Sequence, residues 1–78
     1  MIKLEEKLLK LGWKQNPIVR HRFIKVIKDI ILTIVTNDNN EVIETYVVVS
    51  ITTQEDIDNL QFAFNRMQSD LEVLKKYE

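Results

Sequence analysis

The clearest pattern in the chain lies in residues 53–76, TQEDIDNLQFAFNRMQSDLEVLKK. Apolar residues recur there at intervals of three and four: Ile57, Leu60, Phe64, Met67, Leu71 and Leu74. This spacing brings the side chains onto one face of an α-helix. The pattern predicts one continuous helix, roughly 36 Å long at about 1.5 Å per residue, with its apolar seam hidden against the rest of the fold.

The residues at both ends of this helix favour the same boundaries. Thr52 with Glu55, and Thr53 with Asp56, each fit a capping box, in which two side chains bond each other's backbone N–H groups. Glu55 and Asp56 place negative charge in the first turn, and residues 75–76 are lysines in the last turn. Both signs match the helix dipole, so the sequence predicts a well-capped helix.

Two β-strands joined by a polar turn are predicted before this helix. Residues 30–36, IILTIVT, and 41–51, EVIETYVVVSI, are rich in β-branched residues. The turn residues 37–40, NDNN, are of types that tolerate positive φ. A loop of two or four residues predicts a register in which Ile34 faces Ile43.

This register divides the hairpin into two faces. The face expected to form the core holds Ile30, Leu32, Ile34, Ile43, Thr45, Val47, Val49 and Ile51. The opposite face is expected to hold Ile31, Thr33, Val35, Val42, Glu44, Tyr46 and Val48. The second face is unusually apolar for a surface open to water.

The N-terminal part of the chain predicts a short helix and a third strand. Leucines line one side of residues 3–11, Gly12 stands where a helix ends, and Trp13 is expected to fold back onto the last turn. Residues 18–28 fit either a helix or a β-branched strand. We favour the strand, because a two-stranded hairpin is a poor platform for two helices.

These elements predict a single α+β domain over residues 1–78. Its order is a short N-terminal helix, a three-stranded antiparallel meander and a long C-terminal helix packed on one sheet face (αβββα). A chain of 78 residues has room for one core, and without cysteine it has no disulfide or thiolate site to support that core.

The charges are unevenly distributed along the chain. Residues 1–28 carry a net charge of +6 and residues 29–78 carry −7, although the whole chain is close to neutral. Opposite charges on the two halves favour attraction within one fold or between copies, and a basic patch for an anionic partner is the alternative. The early charges in MIKLEE do not fit a signal peptide, and the apolar runs are too short to cross a bilayer, so we expect a cytoplasmic protein with no membrane partner.

Residues suited to catalysis are scarce. His21 is the only histidine, and it lies between Arg20 and Arg22 without an obvious partner for proton transfer. A zinc site needs several Cys or His ligands, and a phosphate-binding loop needs more than one glycine. We therefore expect no enzyme activity, no cofactor, no metal and no small-molecule substrate.

Protein–protein association has more support in the sequence. Phe62, Arg66, Val73 and Tyr77 follow one track down the long helix, opposite its apolar seam, and are predicted to form a protein interface. The end of the helix is also expected to overhang the sheet. These features predict a non-enzymatic interaction or regulatory protein that forms a homodimer or docks on another protein.

Nucleic-acid binding is the alternative function. A basic segment, with Arg20, His21, Arg22, Lys25 and Lys28, could contact phosphates. The predicted order of elements is that of the double-stranded-RNA-binding domain, but that family has a basic cluster where this chain has the acidic residues 55–58. Nucleic acid is thus the less favoured partner.

Two segments carry a resemblance to a known group of proteins. Residues 52–71, TTQEDIDNLQFAFNRMQSDL, together with residues 8–13, LLKLGW, resemble small uncharacterised proteins in phages and prophages of low-GC Gram-positive bacteria. The resemblance covers about a third of the chain and brings no catalytic residue with it. It implies a small accessory protein of a mobile element.

Overall fold

The computed structural model describes residues 3–76 and shows an α+β fold of two helices and a four-stranded antiparallel sheet. In chain order the elements are α1 (Leu4–Lys10), β1 (Lys14–Gln15), β2 (Arg22–Ile27), β3 (Ile30–Thr36), β4 (Val42–Val48) and α2 (Gln54–Lys76). The strands lie side by side in chain order, which makes the sheet a meander. The α+β class is confirmed, and so is the strand in residues 18–28.

The prediction of three strands is wrong by one, because the short strand β1 also joins the sheet. Lys14 pairs with Ile24, and Gln15 pairs with Phe23. The side chain of Asn16 then bends the chain by accepting the backbone N–H groups of the two residues after Pro17. Two polar residues carry no strand periodicity, so only the pairing itself reveals this strand.

The register between β3 and β4 differs from the predicted one by two residues. Leu32 pairs with Val47 and Ile34 pairs with Thr45, whereas Thr36 pairs with Val42 across an irregularity at the start of β4. The loop is longer than predicted, because the Asn37 carboxamide oxygen holds the N–H groups of residues 39 and 41. The longer loop and the bulge each shift the register by one residue, and together they shift it by two. Because side chains alternate between faces, Thr45 and Val47 still share a face with Leu32 and Ile34.

Four residues of the hairpin depart from their predicted places, and one of them is Thr45, which was expected in the core but is exposed. Val42 lies opposite Thr36 and therefore shares the face on which Leu32 and Ile34 are buried. Ile43 and Ile51 were expected in the core, but both side chains are exposed. Ile43 lies at the bulge on the edge strand, and Ile51 lies beyond the end of β4, so neither is held over the sheet.

One face of the sheet, the inner face, forms the core with the two helices. Its apolar core residues come from α1, the following turn, β2, β3 and α2: Leu4, Leu8, Trp13, Phe23, Ile30, Leu32, Ile34, Ala63, Met67 and Leu74. Burial of side chains of this size stabilises the fold by about 1.5–3 kcal/mol each relative to exposure. The inner face is therefore where the folding energy is concentrated.

Helix α2 is the single rod that the sequence predicts, but its apolar seam is only partly buried. Met67 and Leu74 are buried against the sheet, whereas Ile57 and Phe64 each remain 45% exposed. The buried line of the helix passes instead through Ala63, Met67, Asp70 and Leu74. The helix is turned toward this line because the small Ala63 permits close packing and Asp70 finds polar partners in the core.

Helix α2 begins with the second of the two predicted capping boxes. The Thr53 hydroxyl accepts the Asp56 N–H, and the Asp56 carboxylate accepts the backbone N–H groups of Thr52 and Thr53 and the Thr52 hydroxyl. These hydrogen bonds, led by the one from the Thr52 backbone, hold the pKa of Asp56 below its ordinary value. The cap is thus strongest when Asp56 is ionised.

Helix α1 is fixed at both ends by residues outside its own length. At its C-terminus Gly12 has a φ of 94°. The Gly12 N–H donates to the Leu9 carbonyl and the Trp13 N–H donates to the Leu8 carbonyl, which is the hydrogen-bond pattern of a Schellman motif. At its N-terminus the Leu4 N–H is accepted by the side chain of Asn40, from the loop before β4, at 2.7 Å. A helix of seven residues is unstable alone, and these contacts explain why it forms here.

Candidate protein-interaction surface

The second face of the sheet, the outer face, is not covered by either helix. It is formed by Arg22, Ile24, Val26, Ile31, Thr33, Val35, Glu44, Tyr46 and Val48. Val26 is 60% exposed, Val48 is 56% exposed and Ile31 is 40% exposed. Antiparallel sheets with one face in water normally carry polar residues on that face. The exposed apolar residues therefore make this face the candidate binding surface of the fold.

The register arranges the outer face as three rows that run across β2, β3 and β4. The valine row is Val26, Ile31 and Val48; the tyrosine row is Ile24, Thr33 and Tyr46; the charged row is Arg22, Val35 and Glu44. Facing side chains in such rows contact each other across the strands. Thr33 is buried in the middle row although no helix covers it.

The charged row places opposite charges at its two ends. Arg22 and Glu44 are separated by Val35, and two strand spacings put their backbones about 10 Å apart. Arginine and glutamate side chains are long enough to span that distance, so the spacing alone does not exclude an ion pair. Among the ion pairs found in the described residues, none involves Arg22 or Glu44, so both charges face solvent on the rim of an apolar surface.

The structure places the predicted helix track on the exposed side of α2. Phe62 and Val73 are 46% and 39% exposed, and Arg66 is also exposed. Lys28, from the turn between β2 and β3, lies with its Nζ 5.1 Å from the centroid of the Phe62 ring. Tyr77, the fourth residue of the track, lies outside the described residues.

The basic segment does not form one continuous surface. Arg22 lies on the outer face, whereas Lys25 lies on the inner face beneath the helices. Lys28 contacts Phe62, and His21 is hydrogen-bonded to Asp38. Arg20 lies beside His21 in a cleft of about 250 Å³ that Glu5 and Asp38 also line. Nucleic-acid binding by these five residues stays a prediction that no contact favours.

Lys25 belongs to a polar cluster in the core that the sequence pattern did not indicate. Its Nζ donates to the Asp70 carboxylate and to the Leu11 carbonyl, both at 2.9 Å. The Trp13 indole donates to the same Asp70 oxygen at 2.9 Å, and the Lys25 Nζ lies 5.7 Å from the Trp13 ring centroid. The cluster joins α1, β2 and α2, so its role is to hold the helices on the inner face.

His21 lies between a carboxylate and a hydroxyl group. Its Nε2 lies 2.9 Å from the Asp38 carboxylate, and its Nδ1 lies 3.4 Å from the Thr36 hydroxyl. Thr36 is buried, and its hydroxyl also donates to the His21 carbonyl. The hydrogen bonds of this cluster connect the β3–β4 loop and the end of β3 to the residue before β2.

Two further features are absent from the part of the chain that the structure describes. Over residues 3–76, no group of three or more His, Asp or Glu side chains lies close enough together to hold a metal ion. No helix in that same range is long and apolar enough to cross a membrane.

Comparison of the chain with protein-family models, curated proteins and solved structures finds no match. The functional interpretation therefore depends on the surfaces described above.

Proposed function

We propose that this chain is a non-enzymatic interaction or regulatory accessory protein of phage or prophage type that works in the cytoplasm. Its outer face binds a protein partner, which is a second copy of the chain or a host or phage protein. One observation carries the proposal: the sheet is covered by helices on one face only, and the open face exposes Val26, Ile31 and Val48. A single exposed aliphatic residue is ordinary, but a contiguous row of three is typical of a binding surface.

The rims of this surface support a specific partner over indiscriminate adhesion. Arg22 and Glu44 carry opposite charges at the two ends of the row that borders the apolar part of the face. The hydroxyl group of Tyr46 adds a polar group to the surface. Protein interfaces commonly combine an apolar centre that includes aromatic residues with a charged rim that selects the partner. The phage or prophage context comes from the sequence resemblance alone.

A capture experiment with matched variants tests this function. Wild type, Val48→Lys and Val73→Lys chains are immobilised and exposed to a lysate of low-GC Gram-positive cells, with and without phage infection. Both variants place a lysine at an exposed valine, but Val48 lies on the outer face and Val73 on α2. We expect a protein retained by the wild type to be retained by Val73→Lys and lost from Val48→Lys.

The opposite pattern would assign binding to the helix track, and the outer face would lose its proposed role. Retention of no protein, by a chain that is also monomeric, would contradict the proposed function altogether. Each variant is checked by circular dichroism and thermal unfolding, so that loss of binding is not confused with loss of fold.

A further inference from the structure

The charges on the outer face indicate what covers it. We propose that the occupant is a second copy of this chain, packed outer face to outer face about a two-fold axis that runs along β3. The inference rests on the proposed function, and it adds the identity of the partner and the symmetry of the contact.

A symmetric dimer uses the same patch on both copies, so the patch must be complementary to itself. When two sheets pack face to face, the two-fold axis lies in the plane between them. For two sheets packed with their strands nearly aligned, the axis runs either along the strands or along the rows. These two choices bring different residues together, and the three rows of the outer face decide between them.

An axis along β3 places each row on the same row of the partner, in reversed order. Arg22 then faces the partner's Glu44, and Glu44 faces the partner's Arg22, which forms two identical ion pairs. In the valine row, Val26 meets the partner's Val48, and Ile31 meets the partner's Ile31. In the tyrosine row, Ile24 meets the partner's Tyr46. Charges meet opposite charges, and apolar side chains meet apolar side chains.

An axis along the rows gives the opposite result. The charged row of one copy would lie on the valine row of the other, so that Arg22 faces the partner's Val26 and Glu44 faces the partner's Val48. Burying an unpaired charge against valine is costly, and this arrangement would do so four times. Charge complementarity therefore selects the axis along β3. Packed sheets cross at about 30°, which such an axis accommodates.

The remaining cation on this face does not oppose the dimer. Lys14 pairs with Ile24, so it lies at the outer end of the tyrosine row on the edge strand β1. Reversal of the row places β1 beyond the partner's β4, where no strand lies above it. The Lys14 ammonium group thus stays in solvent.

The size of the face predicts a weak dimer. Three strands about 4.8 Å apart, over about six residues each, present a patch of roughly 14 Å by 20 Å. Such a patch is smaller than a standard protein interface, which buries about 800 Å² of accessible surface on each partner. We expect a dissociation constant on the order of 10–100 µM, and thus a dimer that forms reversibly.

Sedimentation equilibrium of four variants tests the axis and the occupant together. Ile31→Glu places two carboxylates against each other on the axis, and we expect it to be monomeric. Arg22→Glu puts like charges together at two symmetric positions, which we expect to weaken the dimer at least about tenfold. The double variant Arg22→Glu/Glu44→Arg restores opposite charges in both pairs and should recover most of the affinity. Arg66→Glu, on the exposed side of α2, is the matched control and should dimerise like the wild type.

Three outcomes would overturn this inference. A wild type that is monomeric at about 1 mM excludes the second copy, since a patch of this size should associate well below that concentration. A dimer that Arg22→Glu weakens but that the double variant does not recover excludes the axis along β3. A dimer lost in Arg66→Glu and kept in Ile31→Glu places the contact on α2 instead.

The failure of this inference can be told apart from the failure of the proposed function. A monomeric wild type that still captures a different protein, with loss of that protein in Val48→Lys, leaves the outer face as a binding surface and removes only the second copy. A wild type that is monomeric and captures nothing removes both.

Discussion

The two faces of the sheet carry similar types of residue, but one face is buried and the other is exposed to solvent. On β3, Ile30, Leu32 and Ile34 are at most 2% exposed, whereas Ile31, between the first two of them, is 40% exposed. The strand is as apolar on one side as on the other. The difference comes mainly from the helices, which bury one side of β3; on the other side Thr33 is buried without a helix over it, whereas Ile31 is exposed.

This comparison shows that burial here is decided by how much of the chain is available to cover the sheet. A domain of 78 residues has one short helix and one long helix, and both are attached to the inner face through Trp13, Lys25 and Asp70. Nothing in the described residues is left to cover the outer face. We propose that its apolar residues gain burial through a partner molecule.

The largest expected effect comes from replacing one leucine on the inner face. Leu32 is fully buried, so Leu32→Ala should lower the free energy of unfolding by about 3–4 kcal/mol through lost burial and the cavity left behind. Ile31→Ala, one residue away on the outer face, should cost under about 1 kcal/mol in the monomer. Urea unfolding of both variants at low micromolar concentration measures the difference.

Equal losses in the two variants would contradict the comparison, since they would mean that the outer face is buried within a single chain. Repeating the Ile31→Ala measurement at high protein concentration then shows whether association adds stability to the wild type that the variant lacks.

A smaller loss is expected from removing the carboxylate that attaches α2 to the inner face. Asp70→Ala leaves the Lys25 ammonium group and the Trp13 indole without their shared acceptor. An unpaired buried donor is costly, so we expect a loss of about 2–3 kcal/mol in the free energy of unfolding. The matched control is Glu72→Ala, which removes an exposed acidic residue from the same helix and should change stability by under about 0.5 kcal/mol.

Urea unfolding of a double variant tests whether Lys25 and Asp70 stabilise the fold as a pair. Lys25→Met keeps the length of the side chain and removes its charge, so the combination of Lys25→Met with Asp70→Ala should be less destabilising than the sum of the two single changes. Strict additivity would show that the two side chains do not act as a pair.

Much of the fold follows from local sequence rules, and the exceptions have physical reasons. Gly12 and Trp13 end α1 as a glycine and a following apolar residue predict, and Thr53 with Asp56 starts α2. The side of α2 that is buried was not predictable from its apolar seam, because the buried line includes Asp70. The spacing of apolar residues cannot indicate that a charged residue such as Asp70 is buried with a partner.

The candidate site was predictable in composition but not in arrangement. Alternation along β3 and β4 identified most of the residues of the outer face, since that depends only on parity. The predicted register would have placed Glu44 opposite Thr33, whereas the structure places it opposite Val35 and in line with Arg22. The difference arises in the loop that Asn37 holds, and loop hydrogen bonds of this kind leave no periodic signal in the sequence.

A further loss in stability is expected where α1 joins the inner face. Gly12 has φ 94°, a conformation that alanine adopts only at a cost, although a methyl group there would meet nothing closer than the Lys25 side chain at 3.8 Å. Gly12→Ala should therefore lower the free energy of unfolding by about 1–2 kcal/mol through backbone strain alone. Lys10→Ala, two residues earlier on the exposed side of α1, is the control and should be nearly neutral. If Gly12→Ala were as nearly neutral as Lys10→Ala, the positive φ at Gly12 would not contribute to the free energy of unfolding.

The smallest expected effect concerns the start of α2 and depends on pH. The pKa of Asp56 is lowered by hydrogen bonds from Thr52 and Thr53, so folding favours its ionised form. This contribution to stability is fully present above the unfolded pKa of about 3.9 and is lost as the pH falls through the lower folded value. We expect Asp56→Ala to be less stable than the wild type at pH 7 and the two to converge only as the pH falls below the lowered pKa of Asp56. Glu55→Ala removes an equal charge from the same turn but none of these bonds, and its stability should follow the wild type more closely at every pH. Urea unfolding across this pH range measures all three chains, and a deficit of Asp56→Ala that stays constant down to low pH would show that the ionised carboxylate does not hold the cap.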